Sequence, residues 1–177
     1  MEFVIILLVL AVVVAYNMVA IVPQGFKFIV QRWGKYNRTL TPGINWIIPF
    51  MDKVAFKVTT KDIVLDIPSQ EVITLDNAVL IMNAVSYINI TTPEKAVYGI
   101  ENYTWAIQNL VQTTLRSIVG EMNLDDALSS RDHIKAKLKA AISDDIADWG
   151  ITLKTVEIPE AKPPPPIGMK IKSIKSV

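Results

Sequence analysis

At 177 residues the chain has room for one soluble domain plus a short extra segment, and a composition of 51% apolar and 20% charged residues is too hydrophobic for a disordered chain. The absence of cysteine excludes disulfides, thiol nucleophiles and Cys-ligated metals, and the lone His133 excludes any site that needs two imidazoles. The net charge of +1 hides a step, because residues 27–62 hold seven basic and two acidic side chains whereas residues 66–132 hold three basic and nine acidic. A nucleic-acid binder would be basic throughout, so this step reads as a membrane-surface feature, and no nucleic-acid partner is expected.

The apolar excess is concentrated in Phe3 to Val22, 20 residues whose only polar members are Tyr16 and Asn17. At ~1.5 Å per residue such a run crosses a ~30 Å hydrocarbon core. A cleaved signal peptide and a buried core helix are the competing readings. The Met1-Glu2 start lacks the positive region of a signal, although Val13-Val14-Ala15 resembles a cleavage site, so residues 3–22 are expected to be a retained transmembrane anchor. Lys27, Arg32, Lys35 and Arg38 follow the run and no basic residue precedes it. The positive-inside rule therefore places the N-terminus outside and the domain in the cytoplasm, as a single-pass membrane protein. Trp33 and Trp46 are the candidate interface rings.

After the Pro23-Gln24-Gly25 breaker, Phe26, Phe28 and Val30 alternate with Lys27, Ile29 and Gln31, which predicts a strand. Gly34 and Asn37 to Thr41 read as turns, followed by Pro42-Gly43 and the apolar stretch Ile44 to Met51, with a second breaker at Pro49. That stretch is too short to span a bilayer, and two readings stay open for it: core, or a dip into the membrane interface. Lys53 to Thr59 alternates as a strand, and Asp62–Ile67 and Glu71–Leu75 read as two short strands parted by Pro68-Ser69. Ala78 to Thr91 reads as a long central strand.

Helices are predicted next. Thr92-Pro93-Glu94 is a start signal. Ile107, Leu110, Val111, Ile118, Val119 and Met122 make one helical stripe, and Ile134, Leu138, Ala141, Ile142, Ile146 and Trp149 make another that Gly150 closes. Ile151 to Ile158 returns as a strand, and Pro159 and Pro163 to Pro166 end the domain.

No catalytic, cofactor or metal site is expected. Asp125 and Asp126 suit the start of a short helix, and Asp144, Asp145 and Asp148 the polar face of another, without calcium-loop spacing. Ser69, Ser129 and Ser130 lie in no nucleophile elbow, and the glycines form no phosphate loop. His133 reads as a solvated surface residue, with pH sensing the minority reading.

The order of motifs carries a resemblance. Ile21-Val22-Pro23-Gln24-Gly25, Gln31-Arg32-Trp33-Gly34-Lys35-Tyr36, Leu40-Thr41-Pro42-Gly43 and Ile48-Pro49-Phe50-Met51-Asp52 are followed by Asp66-Ile67-Pro68-Ser69-Gln70-Glu71, Thr74-Leu75-Asp76-Asn77, Tyr98 to Asn102, Ala106 to Arg116 and Trp149-Gly150-Ile151. From about Ile21 to Pro164 the chain closely resembles the stomatin/prohibitin/flotillin (SPFH) family, in its stomatin-like or paraslipin branch. The resemblance implies an α+β fold in which a transmembrane helix (3–22) precedes an SPFH domain (23–158), a curved antiparallel or mixed sheet with packed helices. It implies a non-enzymatic scaffold: a homo-oligomer on the lipid bilayer that organises a membrane microdomain and regulates neighbours such as a membrane protease or NfeD-type protein, with no cofactor.

The same resemblance moves Trp33, Pro42, Gly43, Trp46, Ile47, Ile48, Pro49 and Phe50 toward membrane contact. Family members continue into a long assembly helix, whereas residues 159–177 here read as a Pro-rich linker and a short tail whose Lys170, Lys172 and Lys175 are candidate lipid-binding residues. Two rivals remain. One is a small membrane-tethered adaptor, or a subunit of a membrane protease complex, that forms no ring. The other is a tethered hydrolase relying on Ser129, Ser130 and His133.

Overall fold

The computed structural model describes the backbone of residues 2–159 and the side chains of all of these except residues 10–15. The Pro-rich segment 163–166 and the tail lysines Lys170, Lys172 and Lys175 lie outside the described residues. The chain opens with helix α1 (Glu2–Asn17), and the sequence-expected span over 3–22 is not a single helix: Val19–Val22 form strand β1. Strands β2 (Phe26–Arg32), β3 (Lys35–Leu40), β4 (Gly43–Trp46), β5 (Asp52–Thr59), β6 (Ile63–Ile73) and β7 (Val79–Ile90) follow. Helices α2 (Pro93–Tyr98), α3 (Tyr103–Gly120), α4 (Leu124–Ser129) and α5 (Arg131–Asp148) come next, and β8 (Ile151–Glu157) ends the series. The fold class is α+β, as expected.

Among the described residues these elements divide into two compact units: residues 2–63, 89–103 and 146–152 in one, and 64–88, 104–145 and 153–159 in the other. In the first, β3, β2 and β5 form an antiparallel three-stranded sheet, and β1 pairs with β4 as a separate antiparallel ribbon. The β2–β3 hairpin turns on two residues, Trp33 (φ 52°) and Gly34 (φ 79°), both left-handed as a twist-matched hairpin turn requires. That turn explains one miss in the sequence reading. Asn37 to Thr41 is polar enough, Leu40 apart, to read as a turn, yet the hairpin register pairs Arg38, Thr39 and Leu40 with Val30, Ile29 and Phe28.

Strand β2 does not follow a simple buried/exposed alternation. Phe28, Ile29 and Val30 are all buried, because both faces of the strand are covered, and the ladders with β3 and β5 shift register beside Val30. Phe28 and Val30 join Val22 and Leu40 in a core cluster, against which Ala20, Phe26, Ile47 and Val54 pack.

In the second unit, β6, β7 and β8 lie in that order, so the long β7 is central as the sequence suggested, and its residues alternate between full and partial burial. The two short strands expected around Pro68-Ser69 are one continuous β6. Pro68 is tolerated because β6 is an edge strand, where a missing N–H breaks no ladder when it faces outward.

Helix α3 buries Ile107, Val111, Leu115, Ile118 and Val119, and polar bonds stitch it to β6: Gln108 Nε2 to the Asp66 carbonyl (2.8 Å) and Gln70 Nε2 to the Gln112 carbonyl (2.9 Å). Arg116 adds a bond to Gln70 Oε1 (2.7 Å). Helix α5 buries Ile134, Leu138, Ile142 and Ile146, whereas Ala141, assigned to the same stripe, is exposed. Gly150 (φ 72°) ends it, and no other residue fits there, since a Cβ would lie 2.5 Å from the Thr92 carbonyl oxygen.

Candidate membrane-contact surface

The β1–β4 ribbon turns one face to the core and the other to the outside. Its register pairs Val19 with Trp46, Ala20 with Asn45, Ile21 with Ile44 and Val22 with Gly43. Because successive side chains point to opposite faces, Ala20 and Val22 go to the core cluster while Val19, Ile21, Ile44 and Trp46 face outward. Ile21 is 72% exposed, Ile44 73% and Trp46 63%. Asn45 holds the strand start by donating to the Thr41 and Gly43 carbonyls (2.8 and 3.2 Å).

The loop after β4 extends this surface. Ile47 turns inward against the core cluster, Ile48 is exposed, Pro49 half-buried, and Phe50 is 95% exposed with φ 70°. A left-handed phenylalanine costs ~1–2 kcal/mol, so something must hold it. Asp52 does. Its Oδ2 accepts the Ile48 N–H (3.1 Å), its own N–H reaches the Ile48 carbonyl (2.9 Å), and Arg32 grips both carboxylate oxygens (2.8 and 3.2 Å). The Asp52 side chain is fully shielded from solvent. The Arg32 guanidinium, with help from the Ile48 N–H, holds the Asp52 carboxyl below the usual carboxylate range against the opposing effect of burial.

Register places the Trp33–Gly34 turn at the same end of the sheet, since Arg32 pairs with Asp52, and Trp33 is 79% exposed there. Pro42 and Gly43 are also exposed. Of the eight residues expected at the membrane, six are exposed, Pro49 is half-buried, and Ile47 belongs instead to the core side of the ribbon. Sequence reasoning did not place Val19, Ile21 and Ile44 on the outer face. Val19 and Ile21 were absorbed into the apolar run, and their β-branched side chains were the available signal.

Two other sequence candidates are located. The Ser129 hydroxyl donates to carbonyls of its own helix, Asp125 (2.7 Å) and Asp126 (3.5 Å), and His133 is exposed on α5. Among the described residues no group of three or more His, Cys, Asp or Glu could hold a metal ion. Among them, too, no helix is long and apolar enough to cross a membrane.

An SPFH domain / Band 7 family model matches residues 20–172. The chain belongs to this family. This SPFH domain is 37% identical over 165 residues to an uncharacterized protein of Mycobacterium tuberculosis, covering 93% of the chain and 43% of that protein. An uncharacterized protein of Methanocaldococcus jannaschii is 42% identical over 162 residues, covering 92% of the chain and 81% of its own length. Human stomatin-like protein 2, mitochondrial, is 37% identical over 149 residues, covering 84% of the chain and 42% of that protein, which supports the stomatin-like branch. The chain thus spans less than half the length of the mycobacterial and human relatives.

Proposed function

We propose that this SPFH domain is a membrane-apposed, non-catalytic scaffold subunit whose N-terminal apolar segment is the anchor. The observation that carries the reading is the outward apolar face of the β1–β4 ribbon, continued by Ile48 and Phe50. Contiguous exposed apolar surface of this kind marks an interaction site, and here it follows an apolar helix directly. Helix α1, with 16 residues, is roughly 24 Å long, short of a ~30 Å hydrocarbon core. A ribbon lying one side chain deep in the headgroup boundary makes up that difference, the way mismatched spans are accommodated. Lys27, Lys35 and Arg38 then sit on the cytoplasmic side, with the N-terminus outside.

Scaffolding follows from confinement: an anchored domain meets its copies in two dimensions at raised effective concentration, so weak lateral contacts suffice for a homo-oligomer that gathers lipid and neighbouring proteins. A membrane protease or an NfeD-type protein is the kind of neighbour such a scaffold would regulate. The engagement of Ser129 with its own helix supports the non-catalytic reading over a hydrolase.

Depth-resolved fluorescence tests the proposal. Variants that keep Trp46 alone, with the other tryptophans changed to Phe, are reconstituted in vesicles carrying brominated lipids. Trp46 is expected to be quenched near the headgroup boundary and shielded from aqueous acrylamide. Free access of acrylamide to Trp46 in vesicle-bound protein would overturn the ribbon's assigned role.

A further inference from the structure

Strand β5 is an edge of the first unit's sheet, since within that sheet it pairs with β2 alone. One bond decides which of its backbone groups face outward. The Thr60 N–H reaches the Gly25 carbonyl (2.9 Å), which makes Gly25 and Thr60 a hydrogen-bonded pair, and such pairs alternate along an antiparallel ladder. With Lys27 opposite Val58 and Phe28 opposite Lys57, the Val58 backbone therefore bonds to β2, whereas the N–H and C=O of Lys57 and Thr59 point away from it. Among the described residues no backbone bond outside the sheet takes up those groups. Free donors and acceptors on an edge are a template for a further strand.

The two faces of this edge differ in chemistry. Phe56 and Val58 lie opposite Ile29 and Lys27, on the face where Phe56 meets the Tyr98 ring of α2 (centroids 5.8 Å apart). A cavity of about 310 Å³, wholly within the first unit, is lined there by Phe56, Val58, Ile90, Ala96, Val97 and Tyr103 among others, and Lys57 and Thr59 border it too. Its volume is at the small end for ligand sites, room for side chains rather than a cofactor. Lys57 lies opposite Phe28, so its side chain goes to the other face, with Nζ 5.2 Å from the Phe28 ring centroid. Lys61 follows two residues after Thr59, with Nζ 5.9 Å from the Phe26 ring centroid. Both lysines are exposed, and neither joins an ion pair among the described residues.

A strand added to this edge would send alternate side chains to the two faces. We infer that β5 takes up an extended segment of a partner protein in which aliphatic and acidic residues alternate, the aliphatic ones entering the cavity and the acidic ones pairing with Lys57 and Lys61. Main-chain bonds then supply affinity and the alternate side chains selectivity. Charge excludes two nearer occupants. Residues 167–172 of this chain, Ile-Gly-Met-Lys-Ile-Lys, also alternate, but they would bring Lys170 and Lys172 to the lysines. Two β5 edges paired antiparallel would likewise set lysine against lysine. The site gives the proposed scaffold a place to hold a neighbour, yet it stands on the geometry of the first unit whether or not the ribbon meets the bilayer.

The test needs no membrane, so its failure and that of the membrane reading are separate. The full chain in uncharged alkyl maltoside micelles is titrated with a blocked peptide, Thr-Glu-Val-Glu-Ile-Glu-Thr, while backbone amide shifts and hydrogen exchange are followed. In the free chain the Lys57 and Thr59 amides should exchange faster than that of Val58, and saturating peptide should slow those two selectively. The same peptide with lysine in place of glutamate, with glycine in place of valine and isoleucine, or N-methylated at the amides that would face β5, should bind markedly more weakly. K57Q combined with K61Q should weaken the acidic peptide about fivefold, the scale of two exposed ion pairs. Absence of saturable shifts, equal binding of the acidic and lysine peptides, undiminished binding after N-methylation, or protection that bypasses Lys57 and Thr59 would overturn the proposal. So would a double variant that binds the peptide normally but loses affinity for anionic vesicles, which would give the lysines to lipid instead.

Discussion

Asp52 joins the strained loop to the sheet. Its carboxylate is shielded from solvent, bonded to Arg32 and to the Ile48 N–H, and positioned two residues beyond a phenylalanine held at φ 70°. The bonds favour the ionised form, so the carboxyl titrates lower in the folded chain than in the unfolded one, where ~3.9 is ordinary. The sign follows from linkage: the clamp stabilises the fold at every pH above the unfolded value and is lost as pH falls through the lower folded value. In Asp52→Asn the acid-side loss of stability below pH ~4 should flatten. The variant should also melt lower than the wild type at pH 7, because Arg32 and Ile48 lose an ionised acceptor. Thermal melts from pH 7 to pH 2 check both, and an acid limb as steep in the variant as in the wild type would remove Asp52 from the account.

The ribbon makes a sharper claim about elements, because adjacent registers of one pair of strands are assigned opposite surroundings. Val22 is 2% exposed in the core cluster, whereas Ile44, opposite Ile21, is 73% exposed. Val22→Ser places a hydroxyl in a packed interior and should cost about 2–3 kcal/mol, read as a lower denaturation midpoint. Ile44→Ser should leave the midpoint within about 0.5 kcal/mol and, because the anchor keeps the chain in the vesicle, should show instead as greater access of aqueous acrylamide to the neighbouring Trp46. Equal effects of the two variants on stability would mean the ribbon does not present the two faces assigned to it.

This pairing was only half legible in the sequence. The stripes of α3 and α5 were readable because one face is buried and the other wet, which imposes period on the side chains. β1 is apolar on both faces, so no alternation remains to betray a strand, and Val19 to Val22 read as more of the helix; β4, Gly43-Ile44-Asn45-Trp46, does alternate but is only four residues long and ran into the apolar stretch that follows it. The largely polar Asn37 to Thr41 failed in the opposite way, since the β2–β3 hairpin register overrides the turn-like composition of Arg38 to Leu40. The candidate surface was legible through its motif, Ile48-Pro49-Phe50, but the inward turn of Ile47 was not, because it follows from the ribbon pairing: Ile47 comes one residue after the outward Trp46 and donates its N–H to the Met18 carbonyl (2.7 Å).

For the whole molecule the charge step predicts an orientation for the proposed anchor. Residues 27–62 carry seven basic side chains against two acidic ones, immediately after the apolar segment. Charges within about 15–20 residues of a span set which side it leaves behind, so Lys27, Arg32, Lys35 and Arg38 are expected to keep the domain cytoplasmic. Arg32 and Arg38 are also engaged with Asp52 and the Trp46 carbonyl, so removing them would confuse topology with folding. Lys35 is exposed and lies in the β2–β3 hairpin without an ion pair among the described residues, and Glu2 stands at the other end of α1. The variant that isolates orientation is therefore Glu2→Lys with Phe3→Lys and Lys35→Gln, which moves positive charge across the span and leaves both arginine contacts in place. In sealed vesicles with the cytoplasmic face outward, the wild-type domain should be digested by added protease, and a measurable fraction of the variant should become protected. Protection of the wild-type domain in those vesicles would reverse the orientation, and with it the assignment of the basic segment to the cytoplasmic leaflet.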